Sequence, residues 1–332
     1  MNRIFLFVVS ALLSNAMSNA MAQAPGSDRV HATRADSHGP AEAPANGQPE
    51  AGRPSLITAT TQYVERDGIR FAYRRFGRPV GTPLVFIQHF RGNLDNYDPA
   101  ITDPLAKDRE IIVFDNAGVG DSTGAPKNTI EAMAQDAESF IDALGLHRID
   151  LLAHSMGGYV AQQIAVDRPG LLGKLVLVGT GPRGGEGMAV RTEYTASLFV
   201  KKYEPQDLMW GPIFFTSSEA GQAAARNYFQ RTHLRTIDRD APVAPETATA
   251  HGIAARTWGA AGGSQDYLKQ ITQPVLVVNG SSDIVVATVN SYILQQKLPN
   301  ARLILFPDSS HGAHFQYHEV FVRETKAFLD QD

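Results

Sequence analysis

The chain has 332 residues, 43% of them hydrophobic and 19% charged, with a formal net charge of -4. That is ample apolar material for a buried core, and a weakly acidic balance speaks against nucleic acid as a partner. The sequence holds no cysteine, which excludes disulfides, thiolate chemistry and cysteine-ligated zinc.

Residues 1–22 have the layout of an export signal: Arg3, an apolar run over 4–13, and a small-x-small site at Ala20-Met21-Ala22. The run is too short for a stable membrane anchor, so the expectation is an exported protein, periplasmic or secreted. Met17 and Met21 are alternative starts. Residues 23–57 are rich in Pro, Gly, Ala and charge with few large apolar side chains, and are expected to form a disordered linker. His31 and His38 fall within it as solvated residues.

A folded domain is expected over 58–332. "ATTQYVE" and "IRFAYRRFG" alternate as a hairpin turning at Asp67-Gly68. "PLVFIQHF", "REIIVFDNAG", "RIDLLAHS", "KLVLVGTG", "PVLVVNG" and "RLILFPDS" are continuous apolar runs, the mark of strands buried on both faces. Between them lie helix-like stretches. In "TIEAMAQDAESFIDALG", Ile130, Met133, Ala137, Ile141 and Leu144 recur at helical spacing before Gly145. "GGYVAQQIAVDRPG" is a second helix. The alternation predicts an α/β domain, a mostly parallel doubly wound sheet. Residues 186–265 interrupt it with helix-like pieces such as "TEYTASLFVKKY" and "SEAGQAAARNYFQRTH". They are expected to form a helical lid over the carboxyl edge of the sheet, where ligands bind in open α/β sheets.

The run "LLAHSMGG" passes from strand to helix at Ser155 with small residues on both sides. A strand-to-helix turn written G-x-S-x-G lifts a serine hydroxyl clear of the sheet. Here it reads Ala153-His154-Ser155-Met156-Gly157, with alanine for the first glycine. On the pentapeptide alone, a serine that caps a helix is the competing reading. A nucleophilic serine needs a base held by a carboxylate, in the chain order serine, acid, histidine. Asp283 follows "PVLVVNG" and His311 follows "RLILFPDSS", both at carboxyl ends of expected strands. Ser155, Asp283 and His311 are therefore the expected triad. The backbone N–H of Met156 and that of Phe90, after an earlier strand, are the expected oxyanion donors.

These residues carry a resemblance. From about residue 60 the chain resembles the α/β-hydrolase fold superfamily, and within it the capped branch of cofactor-free haloperoxidases, enol-lactonases, esterases and carbon–carbon bond hydrolases. "FDNAGVGDSTG" is similar to that branch's Asp-x-x-Gly-x-Gly-x-Ser turn, with Asn116 in place of arginine. "HSMGG" and "NGSSD" match as well, while Gln88-His89-Phe90 puts His89 where the branch has glycine. The resemblance implies acyl transfer to water with no cofactor. Relatives that dehalogenate alkanes or open epoxides use an aspartate nucleophile, and Ser155 stands against both chemistries.

The expected partner is a small-molecule substrate, an ester or lactone of modest size and apolar character. Perhydrolysis or halogenation and carbon–carbon cleavage are the enzymatic alternatives, and a ligand receptor of the same fold is the alternative of another class. Arg91 is a candidate for a substrate carboxylate or a structural ion pair. Trp210, Phe214 and Phe215, with Met209 and Trp258, are candidate pocket residues under the lid. His311, His314 and His318 lie close in sequence but lack a zinc-protease pattern. No metal site is expected; His314, His318 and His154 are read as packing or helix-surface residues.

Overall fold

The computed structural model describes residues 55–331; the expected signal peptide and most of the expected linker lie outside the described residues. Residues 55–57, assigned to the linker, in fact pack on the domain. Leu56 is buried, and its N–H donates to Asp103 Oδ1 at 2.9 Å.

The hairpin follows as β1 (Gln62–Arg66) and β2 (Ile69–Gly77). Asp67 and Gly68 take φ of 52° and 77°, the pair of left-handed residues that a tight hairpin turn needs. The chain continues through β3 (Leu84–Ile87), α1 (Pro99–Ala106), β4 (Glu110–Phe114) and α2 (Ile130–Ala143). Next come β5 (Ile149–His154), α3 (Met156–Asp167) and β6 (Leu172–Val178). Four helices then intervene: α4 (Glu193–Val200), α5 (Trp210–Phe214), α6 (Glu219–Thr232) and α7 (Pro245–Gly259). The sheet resumes with β7 (Val275–Gly280), α8 (Val289–Lys297) and β8 (Ala301–Phe306), and α9 (Ala313–Gln316) and α10 (His318–Leu329) finish the described chain.

Eight strands form one sheet in the order β1-β2-β4-β3-β5-β6-β7-β8. β1 with β2 and β2 with β4 are antiparallel, and every other pair is parallel. Alternate residues of each inner strand serve opposite faces. Ile149, Leu151 and Ala153 of β5 join α2 and α3 in one apolar cluster. Leu152 joins the other, with Leu105 of α1 and Phe321 of α10. Both faces are covered, which is why the inner strands read as unbroken apolar runs. The inserted helices share these cores: Trp210, Phe214 and Tyr228 in the second, Ala254 and Trp258 in the first.

Candidate active site

β5 ends at His154 and α3 begins at Met156, so one residue makes the whole turn. Ser155 has φ 56° and ψ -120°, a conformation that a residue with a side chain holds only when its surroundings impose it. Here they do. Its N–H donates to the Val178 carbonyl at 2.8 Å, and its own carbonyl accepts from the Gly158 N–H at 2.9 Å and the Thr180 hydroxyl at 2.8 Å. The glycines of the motif have a steric reason. A Cβ on Gly157 would collide with the Ile87 carbonyl oxygen, and one on Gly158 with the Thr180 side chain.

From this turn the Ser155 hydroxyl reaches His311 Nε2 at 2.7 Å, while His311 Nδ1 meets Asp283 Oδ2 at 2.8 Å. The other oxygen of Asp283 accepts from the N–H groups of Val285 (2.8 Å) and Val286 (3.0 Å). That anchorage presents the other carboxylate oxygen, Oδ2, to the imidazole and sets the tautomer with the proton on Nδ1. All three side chains are buried. The N–H of Phe90 and that of Met156 find no protein acceptor among the described residues, and both residues line the pocket over Ser155. Two free N–H donors beside a serine, one of them at a helix N-terminus, can hold a developing oxyanion.

The sequence profile of the alpha/beta hydrolase fold matches residues 82–316. The chain belongs to this family. It is similar to a poly(3-hydroxyalkanoate) depolymerase from Ectopseudomonas oleovorans, 28% identical over 269 residues that cover 75% of this chain and 84% of that protein. Among solved structures it is similar to an alpha/beta hydrolase fold protein from Chitinophaga pinensis. The two are 39% identical with a TM-score of 0.79, and the match covers 84% of this chain and 100% of that one. It is also similar to Est816, described as an N-acyl homoserine lactone degrading enzyme. That match is 25% identical with a TM-score of 0.65, over 80% of this chain and 100% of the other.

In this α/β hydrolase the pocket over Ser155 is an apolar cavity of about 30 Å³, walled by Trp210, Phe214 and Phe90 with His89. Two expected substrate contacts lie elsewhere. Phe215 does not line the pocket; it is buried against Tyr228, ring centroids 5.8 Å apart. Arg91 lines a separate polar cavity of about 210 Å³, for which Trp210 is the shared wall. It makes no ion pair among the described residues, and its N–H donates to His251 Nδ1 at 3.3 Å. Met209 lines that second cavity, and Trp258 stacks on Tyr159. Arg191, Tyr159 and Phe199 line the pocket over Ser155 and were not expected there.

His311 has three buried imidazoles near it. His154 lies 5.0 Å away, ring centroid to centroid, and His314 and His89 lie 4.4 and 5.2 Å from His154. Burial pushes the pKa of His89 down to about 3 and those of His154 and His314 well below the usual value. All three are therefore neutral at neutral pH, and none competes as a charge with the imidazolium that His311 would form. His314 is a packing residue, as expected. His318 starts a new helix after a break at Tyr317, so the two are not successive turns of one helix. Among the described residues no cluster of His, Asp and Glu is arranged to hold a metal ion, and no helix is long and apolar enough to cross a membrane.

Proposed function

We propose that the protein is a serine hydrolase that cleaves a small to medium apolar ester or lactone through an acyl-enzyme. The observation that carries this reading is the continuous chain from Ser155 Oγ through His311 to Asp283, built on a strained turn beside two free N–H donors. Ser155 attacks the substrate carbonyl as His311 Nε2 takes its proton. The N–H groups of Phe90 and Met156 hold the oxyanion, worth roughly 3 kcal/mol per donor. His311 then passes the proton to the leaving alcohol and later draws one from water, releasing the acid and restoring Ser155. Asp283 stabilises the imidazolium and keeps it oriented.

The likeness to a poly(3-hydroxyalkanoate) depolymerase and to an N-acyl homoserine lactone degrading enzyme supports this substrate class. The amino-terminal sequence leads us to place the activity outside the cytoplasm. A fluorophosphonate probe should label the wild type at Ser155 and leave Ser155→Ala unlabelled. Equal labelling of the two overturns the assignment of the nucleophile.

A further inference from the structure

The apolar pocket over Ser155 has one arginine in its lining, and the hydrolysis proposed above makes no use of that charge. Arg191, just ahead of α4, lines the same pocket as Ser155 and His311. Its guanidinium lies over the Phe199 ring at 4.0 Å from the centroid and 5.8 Å from that of Phe90. Arg91 stands 6.0 Å from the Phe90 centroid, with its Nε buried and without a hydrogen-bond partner.

The Arg191 guanidinium thus lines the pocket beside Ser155 with no carboxylate matched to it among the described residues. Elsewhere in and beside the inserted helices, Arg231 is matched with Asp98 at 2.6 Å, Arg235 with Asp238 at 2.8 Å and Arg239 with Asp95 at 3.7 Å. Arg191 has no such carboxylate among the described residues. Tyr159 adds a second donor. It sits on α3 one turn beyond Ser155 and lines the same pocket as Arg191, and its hydroxyl bonds to none of the described residues. A guanidinium stacked on aromatic rings keeps its N–H edge free for a planar, two-oxygen anion.

We propose that this pocket recognises a carboxylate on the substrate, gripped by the Arg191 guanidinium and the Tyr159 hydroxyl. The proposal rests on the serine-hydrolase reading and changes one part of it: the substrate is an ester or lactone whose reacting end is apolar but which also carries a free carboxylate, held against Arg191.

Two matched pairs of esters test it, one with the charge on the alcohol side and one with it on the acyl side. They are 4-carboxyphenyl acetate against 4-acetylphenyl acetate, and monomethyl glutarate against methyl butyrate. The quantity read is the ratio of kcat/KM for the charged ester to that for its neutral partner, so that intrinsic reactivity cancels between variants. For at least one pair the ratio should fall about tenfold or more in Arg191→Gln, about threefold in Tyr159→Phe, and by an intermediate amount in Arg191→Lys. Added salt should lower the wild-type ratio. Ratios in both pairs that are unchanged by Arg191→Gln overturn the proposal. Fluorophosphonate labelling of Ser155 separates the two levels: wild-type labelling with unchanged ratios rejects the carboxylate alone, whereas absence of labelling rejects the hydrolase reading beneath it.

Discussion

The imidazole of His154 donates its Nε2–H to the backbone carbonyl of His311 at 3.0 Å. A carbonyl can only accept, so this contact fixes the tautomer of His154, and burial keeps the ring neutral. The residue before Ser155 thus holds the loop that carries His311. His154→Phe fills the space but leaves a buried carbonyl unpaired, at a cost of about 1–3 kcal/mol. Loosening the loop should lower kcat between about tenfold and a hundredfold with little change in KM. Thermal melts with steady-state kinetics check this; a large rise in KM at constant kcat would contradict it.

Ser155→Gly should separate stability from activity. Glycine adopts φ of 56° without steric cost, whereas serine is held there by three hydrogen bonds from its neighbours. The variant should turn over no ester, yet unfold at a higher temperature than Ser155→Ala, by about 1 kcal/mol in stability. Equal unfolding midpoints for the glycine and alanine variants would show that the turn stores no strain.

How far this site was legible follows from which side chains are fixed by strand ends. Ser155, Asp283 and His311 each follow an unbroken apolar run, and a parallel sheet brings the ends of such runs to one edge. The alternation of strands and helices made the doubly wound sheet readable in the same way. α1 was not readable, because Pro99 and Pro104 in "PAITDPLA" hide its periodicity. α7, rich in Ala, Thr and Gly, carries a similarly weak pattern. Direction of side chains in loops has no period at all. Arg91, with φ of 59°, turns toward the second cavity, while Arg191, in a stretch with no regular pattern, reaches the first. Phe214 and Phe215 are adjacent in sequence, yet only Phe214 faces the pocket.

A pair of carboxyl groups between the sheet and the inserted segment should make stability depend on pH. Asp115, after β4, and Asp240, between α6 and α7, both accept from the Leu94 N–H, at 2.9 and 3.0 Å. Asp95 adds a further negative charge, offset by Arg74 at 3.2 Å and Arg239 at 3.7 Å. Burial, then the neighbouring acid, pushes Asp240 up to about 7 and Asp115 well above the usual range. The folded state therefore keeps protons that the unfolded chain releases near pH 4. The stabilisation is complete below that pH and is lost as pH rises through about 7, at up to about 1.4 kcal/mol per pH unit for each proton. Urea midpoints across this range should fall with pH in the wild type, and Asp240→Asn should flatten the slope. A parallel slope in the variant would place the titration elsewhere.

Trp210 separates two cavities of unequal size, and this sets an expectation for acyl-chain length. Its ring stacks on Phe214 with centroids 5.1 Å apart and meets the edge of His89 at 4.5 Å. The cavity it closes over Ser155, about 30 Å³, has room for roughly two water molecules. Beyond it lies the polar space of about 210 Å³. Acetyl and propionyl esters should therefore be cleaved faster than octanoyl esters with the same alcohol. Trp210→Leu shortens the partition without emptying the core as alanine would, where the cost is about 3–5 kcal/mol. It should move the optimum of an acyl series toward longer chains, with acetyl ester turnover falling less than about tenfold. If the optimum stays where it was while all esters slow together, Trp210 supports the fold and does not limit the acyl group.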